Sequence, residues 1–379
     1  MPVMGILFFA HFVNDFYSLL LPIFIPLLIR ELNISYFYAG VLVSVVAIIG
    51  AILQSPVGYC ADIYRKRVFF LTVGFLFYAT GAIVLGLSNR FSFLLGSAIL
   101  IGLASTTYHP QSTNLITKKF YRKGQALGIH GVGGQLGRFL SPIFIGWLVS
   151  KLQWRVAAIF LMLPAMVAVF LCGFGLKEPT ERGEPGLVRA ITLPIIFLIL
   201  ILGLRSAVFQ GIVSFLPSFL VVKGSSIDVA GLLTGIMLGI GLISQPIGGA
   251  LGDRVSKPKI IFISLLGLAI LFFLFQFILL SSSDLNYPFL ICLLVGIGFC
   301  IFVTFPLGLA LSAELSPGER IGTSVGAVSG GGMVLPALIL PVVGHLIDNY
   351  DFHTGFLFLG ILTVVATIVS IGYLKMDPQ

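Results

Sequence analysis

His11, Asn14 and Asp15 interrupt an otherwise apolar run near the start of this 379-residue chain. His11 and Asp15 are four positions apart, so on a helix they share one face, with Asn14 beside them. A carboxylate favours the charged imidazole while burial favours neutral forms, and a proton-carrying site needs such opposing terms. A hydrogen-bonded pair that only fixes helix packing stays open as the alternative. His109, His130 and Arg138 lie in two later apolar runs, together with Gln111 and Gln135. His130 and Arg138 are eight positions apart, about 80° around a helix, and can line one broad face. The second half offers Arg205, Gln210 and Gln245 among mostly apolar neighbours. A guanidinium pairs bidentately with phosphonate, phosphate or carboxylate. Two arginines and up to three histidines against one aspartate read as a cationic pocket for a small anion. Asp15, His11, His109 and His130 are the expected proton-coupling groups. Asn14, Gln111, Gln135, Arg138, Arg205, Gln210 and Gln245 are the expected substrate groups. Arg138 keeps a second reading, as a structural partner of Asp15 that leaves Arg205 to meet the ligand.

The elements that hold these groups must be membrane helices. Apolar residues make up 58% of the chain, charged residues 9%, and mean hydropathy is +1.10. A soluble chain of this length has too little interior for that surface, so lipid is its solvent. The net charge of +8 sits in short basic clusters between apolar runs. That pattern fits cytoplasmic loops facing an anionic leaflet and argues against nucleic acid. Four cysteines, Cys60, Cys172, Cys292 and Cys300, show no CxxC spacing, so neither a metal nor any other cofactor is expected. The first apolar segment lacks a small-residue cleavage site, so no cleavable signal peptide is read there.

Twelve apolar stretches are long enough to cross a bilayer: 5–30, 36–60, 68–88, 92–115, 125–148, 154–176, 191–222, 228–251, 259–281, 287–312, 321–347 and 354–375. Backbone groups in lipid must bond internally, so these are helices. With both ends cytoplasmic, inner loops and tail hold fifteen Lys and Arg against five outside, the bias of a plasma-membrane protein in that orientation. The fold class is therefore all-α integral membrane, twelve transmembrane helices in two pseudo-symmetric six-helix bundles. The bundles are 1–176 and 191–379, joined by a polar linker at 177–190 that is rich in Pro, Gly and mixed charge.

The halves also repeat. Gln54, Gly58 and Asp62 recur 191 positions later as Gln245, Gly249 and Asp253. The first copy runs into Arg65, Lys66 and Arg67, the second into Arg254. A carboxylate and cations at the inner rim can pair with each other and with helix ends, a gate when the outside is open. Gly58, Asp62, Arg65, Arg67, Gly249, Asp253 and Arg254 are the expected gating residues. A topogenic basic loop is the competing reading. Glycines at spacing four let helices approach closely: Gly133 and Gly137; Gly231, Gly235 and Gly239; and Gly318, Gly322, Gly326 and Gly330.

Gly-x-x-x-Asp followed by Arg or Lys, in both halves, resembles the inner-loop motif of the major facilitator superfamily. A narrower resemblance rests on four strings: His11-Phe12-Val13-Asn14-Asp15, Tyr108-His109-Pro110-Gln111-Ser112, the run from Gly131 to Gly137, and Arg205-Ser206 with Phe215-Leu216-Pro217. These are similar to the fosmidomycin-resistance branch, which exports a phosphonate antibiotic with proton coupling. Gln111 stands where that branch often has an acid, and Arg138 has no place in its pattern. The resemblance implies a proton-coupled antiporter working in efflux and antibiotic resistance. The residues leave direction open, so import of an organic anion, or export of neutral or lipophilic compounds, stands beside it. No HExxH, GxSxG, catalytic carboxylate pair or nucleotide loop occurs, so an enzyme is not expected. A non-transporting receptor on the same scaffold is a further reading. The expected partners are a small anion, protons and lipid, for a monomer.

Overall fold

The computed structural model describes residues 3–178, 192–280, 285–315 and 321–374. Most of the expected linker, 179–190, lies outside them, as does Gly318 of the span-eleven glycine row. Every described regular element is an α-helix. In chain order they are α1 (Val3–Tyr17), α2 (Leu20–Leu32), α3 (Tyr36–Tyr64), α4 (Arg67–Gly86), α5 (Phe91–Lys119), α6 (Lys123–Lys151), α7 (Trp154–Phe160), α8 (Met162–Gly175), α9 (Leu193–Val222), α10 (Ile227–Gly239), α11 (Gly241–Gly252), α12 (Lys257–Leu280), α13 (Tyr287–Glu314), α14 (Ile321–Asn349) and α15 (Phe352–Leu374).

Three expected spans are each made of two helices. Span one breaks at Ser18 and Leu19, because Pro22 has no N–H for the Ser18 carbonyl. Span six breaks at Leu161 in the same way, with Pro164 unable to bond Phe160. Span eight breaks at Ile240, between Gly239 and Gly241. Eleven stretches among the described residues are long and apolar enough to cross a membrane. The twelfth, α6, has 29 residues, as many as α5, but its run of Gly, His, Gln and Arg dilutes its hydropathy.

The chain forms two compact units. The first is Met1–Ile34, Val45–Pro185 and Ser226–Gly235; the second is Ser35–Ser44, Gly186–Ser225 and Ile236–Gln379. In the first, α1 packs on α6 and α8, and α4 packs on α5 and α8. In the second, α9 packs on α14 and α15, and α12 packs on α13 and α15. The sequence repeat is therefore a repeat of packing. The second unit has an apolar core around Leu198, Ile201, Leu265 and Ala366, all nearly or fully buried. An aromatic cluster of Phe219, Phe272, Phe275 and Phe356 adds to it.

Glycine sets the closest helix crossings. In the first unit a Cβ on Gly231 would run into the Pro142 carbonyl, and one on Gly146 would lie 2.8 Å from the Ile227 carbonyl. In the second unit Gly40 lies against the Leu340 carbonyl and Gly344 against the backbone of Tyr36. There the first turn of α3 is capped from α14: the Tyr36 and Phe37 N–H groups donate to Asp348, each at 2.8 Å. A carboxylate satisfies orphan donors and the dipole of a helix start together.

Candidate functional site

The site in the first unit is built where α6 lies on α1. α1 presents His11, Asn14 and Asp15, all buried. α6 meets them with glycines: a Cβ on Gly134 would lie 2.5 Å from His11 Nε2 and 2.7 Å from Asp15 Oδ2. Gly133 does the same for the Phe8 carbonyl and Gly137 for that of Phe12. The Gly-rich string of α6 is thus the cradle that admits the polar face of α1.

Asp15 is the hub. Its Oδ2 lies 3.0 Å from Arg138 Nη2 and 3.5 Å from His11 Nε2, while Oδ1 accepts from Asn14 Nδ2 at 2.9 Å. Tyr78 on α4 donates to Asn14 Oδ1 at 3.1 Å, fixing the direction of that amide. Arg138 is thus ion-paired with Asp15. His11 Nδ1 lies 2.8 Å from the His130 backbone oxygen. A carbonyl only accepts, so Nδ1 carries the hydrogen and Nε2 is the nitrogen turned to Asp15. A neutral His11 beside an ionised Asp15 would therefore set one lone pair against another. A proton between them removes that conflict.

Two more histidines complete the cluster. The His130 ring stacks on that of His11 at 4.1 Å, and His109 meets it edge-on at 5.5 Å. Tyr108 donates to the Leu7 carbonyl at 3.0 Å, so it accepts from His130 Nε2 at 2.8 Å. His11, Asp15 and His109 bring ligand atoms within 4.8 Å of one another. A metal there would share Oδ2 with the Arg138 guanidinium, so the positive charge at this carboxylate is already supplied. Tyr78 and Tyr108 were not among the expected site residues. Aromatics are common in apolar spans, and only the adjacency of Tyr108 to His109 hinted at a role.

Gln111 and Gln135 are buried on α5 and α6, and the Gln111 amide nitrogen has no hydrogen-bond partner among the described residues. In the second unit Arg205 is buried on α9. Its Nη1 donates to the Ile301 carbonyl at 3.3 Å, Nη2 donates to Ser206 Oγ at 3.0 Å, and the guanidinium lies 5.9 Å from the Phe305 ring centroid. Gln210 and Gln245 are half-buried.

The two inner-rim loops differ. Arg67 is fully buried and pairs with Asp62, with Nη2 2.6 Å and Nε 2.9 Å from Oδ1. Arg65 is exposed; its φ of 54° and the Lys66 N–H bond to the Ala61 carbonyl at 3.2 Å end α3 and turn the chain back. The expected pair is thus made by Arg67 and not by Arg65. Asp253 and Arg254 are exposed and make no ion pair among the described residues. The second unit instead joins Lys257 to Glu314 at 2.8 Å. Gly58 lies against Pro110, with 3.3 Å to the position of an added Cβ. Gly249 faces open space, and its neighbour Gly248 makes the close approach, to the Val303 carbonyl.

Family and relatives together make this a membrane transporter rather than an enzyme. The chain belongs to the Major Facilitator Superfamily, whose model matches residues 7–302 and 223–379. It is 25% identical to the Fosmidomycin resistance protein of Escherichia coli (strain K12), over 96% of this chain and 92% of that protein. It is also 25% identical to a Probable nitrate transporter NarT of Staphylococcus epidermidis (strain ATCC 35984 / DSM 28319 / BCRC 17069 / CCUG 31568 / BM 3577 / RP62A), over 95% of this chain and 93% of that one. A solved POT family transporter in complex with 5-aminolevulinic acid superposes with a TM-score of 0.82 at 16% identity, covering 99% of this chain and 96% of its own. That last likeness concerns the fold alone.

Proposed function

We propose that the chain is a proton-coupled secondary transporter of a small organic anion, a phosphonate, phosphate ester or carboxylate, working by alternating access. The observation that carries this reading is the buried Asp15, held between a fixed cation, Arg138, and a titratable ring, His11. Ionisable groups inside a membrane span are costly and mark ion pathways and substrate sites. Arg138 and Arg205 supply the guanidinium chemistry for the anion, and His109 and His130 surround the proton site. The names of two relatives, fosmidomycin resistance and nitrate transport, both concern small anions and support a negatively charged substrate. Resistance, in the first name, supports export. Cotransport of anion and proton is the second reading, and the Asp15–Arg138 pair favours it. We place the protein in the plasma membrane as a monomer with both termini cytoplasmic.

The test is flux in proteoliposomes. Radiolabelled fosmidomycin and nitrate are presented with and without a pH gradient. A gradient that drives either anion against its concentration supports the reading. Flux of a neutral compound alone, indifferent to pH, would overturn it.

A further inference from the structure

A second charged group lies in the first unit, at the end where α2 and α6 finish and α7 begins. α2 brings Arg30 and Glu31 in its last turn, and α7 opens with Trp154 and Arg155. α6 reaches this end from Lys123 over 29 residues, about 44 Å of helix, which exceeds the hydrocarbon thickness of a bilayer. The group therefore sits at a membrane–water boundary, the level of lipid headgroups and of anchoring tryptophans.

Glu31 is its centre. Oε2 accepts from the Trp154 indole N–H at 2.8 Å and lies 3.6 Å from Arg155 Nη1, while Oε1 accepts from Arg30 Nη2 at 3.1 Å. The Arg155 guanidinium lies over the Trp154 ring, 4.3 Å from its centroid, and its Nη2 donates to the Ser88 carbonyl at 3.1 Å. Arg155 is thus a fixed cation. Arg30 is not: its side chain is 71% exposed, and Glu31 is its one partner among the described residues. A cavity of about 370 Å³ opens beside these groups. Leu27, Val149 and Leu152 supply its apolar lining, and Arg30, Glu31 and Arg155 its charge.

We infer that this cavity holds the headgroup of an anionic membrane lipid, its phosphodiester on Arg30 and Arg155 and its glycerol end against the apolar lining. A guanidinium meets phosphate oxygens through paired N–H donors, and Arg30 has most of its five still to use. Charge decides between lipid classes. Two guanidiniums and one carboxylate leave the cavity at +1, which a diester with a neutral second group, such as phosphatidylglycerol, brings to zero. A zwitterionic headgroup adds no net charge and leaves it at +1. The mixed lining decides between lipid and free phosphate, since donors alone would serve the latter. A network that only tied α2 to α7 is complete with Glu31, Trp154 and Arg155, and needs neither Arg30 nor the cavity. The site is separate from the Asp15 cluster, so it stands or falls independently of what the protein transports.

Trp154 is the reporter that tests it. The chain has two tryptophans, Trp147 and Trp154, so Trp147→Phe leaves the one in the site. This full-length variant is placed in phosphatidylcholine bilayers containing graded phosphatidylglycerol, with either lipid brominated on its acyl chains to quench nearby indoles. Brominated phosphatidylglycerol should quench Trp154 as though enriched about fivefold over its share of the bilayer, the effect of one basic contact near the surface. Adding Arg30→Gln should bring the enrichment to about one, and Arg30→Lys should keep part of it, because the charge remains and the planar fork does not. Equal quenching by the two lipids, or quenching by neither, would overturn the inference. An enrichment unchanged by Arg30→Gln would overturn it as well. Inorganic phosphate added at constant ionic strength should leave the enrichment in place; if it abolishes it, the cavity takes free phosphate and the lipid assignment falls.

Discussion

Asp62→Asn isolates what the inner-rim pair contributes. Arg67 is wholly buried, while the Asp62 side chain is 29% exposed, and Nη2 lies 2.6 Å from Oδ1. At an effective dielectric of about 20 the gross attraction is about 6 kcal/mol. Desolvation offsets much of it, and removing one partner of such a pair costs about 3–5 kcal/mol because a buried charge is left behind. Water reaches Asp62, so the loss should fall near the low end, about 3 kcal/mol. Asparagine keeps the shape and one acceptor oxygen, so the effect is one of charge. Equilibrium unfolding in mixed micelles should show that loss for Asp62→Asn. The double variant Asp62→Asn with Arg67→Met should recover most of it, because the stranded cation is gone. A single variant as stable as wild type, or a double variant no better than the single, would refute this account of the pair.

Arg205→Ala should weaken anion binding about ten- to a hundred-fold, the equivalent of one charge-assisted contact. Arg205→Lys should recover part of that, since an ammonium lacks the planar fork; calorimetric titration with fosmidomycin measures both. Gly137→Ala places a methyl against the Phe12 carbonyl and should cost about 1–3 kcal/mol of stability by forcing α1 and α6 apart; a melting point equal to wild type would mean that this crossing yields freely. Asp351 caps α15, and the Thr354 N–H and hydroxyl that donate to it hold its carboxyl below the usual range. Asp351→Ala should cost about 1 kcal/mol at neutral pH. A depressed carboxyl stabilises above its unfolded pKa of about 3.9. The difference from wild type should therefore close as pH falls through the lower folded value.

The fold was readable because lipid imposes simple rules. Twelve apolar runs had to be helices, and the repeat of Gln54, Gly58 and Asp62 declared two similar halves. The packing pairs α1 on α6 and α9 on α14 carry that repeat into three dimensions. Breaks within spans were less visible, since Pro22 acts on a carbonyl four residues earlier whose fate only tertiary packing decides. The shared face of His11 and Asp15 followed from helix geometry. That His109, His130 and Arg138 join it depends on how α5 and α6 rotate against α1, which the glycines of α6 settle by contact. Tyr78 and Tyr108 escaped notice because an aromatic in an apolar span carries no signal of its hydroxyl's partner. The ion pair at the end of α3 was half legible. Arg65 and Arg67 look alike in sequence, and the left-handed turn at Arg65 decides which of them returns to Asp62.

The central claim is that Asp15 carries the proton that drives anion movement, and one comparison tests it most directly. Wild-type and Asp15→Asn proteins are placed in proteoliposomes, and labelled anion is followed both as uphill accumulation under a pH gradient and as counterflow without one. The account predicts that Asp15→Asn loses accumulation and keeps counterflow, because binding and alternating access survive while the coupling group is gone. Accumulation at the wild-type rate in Asp15→Asn would contradict it.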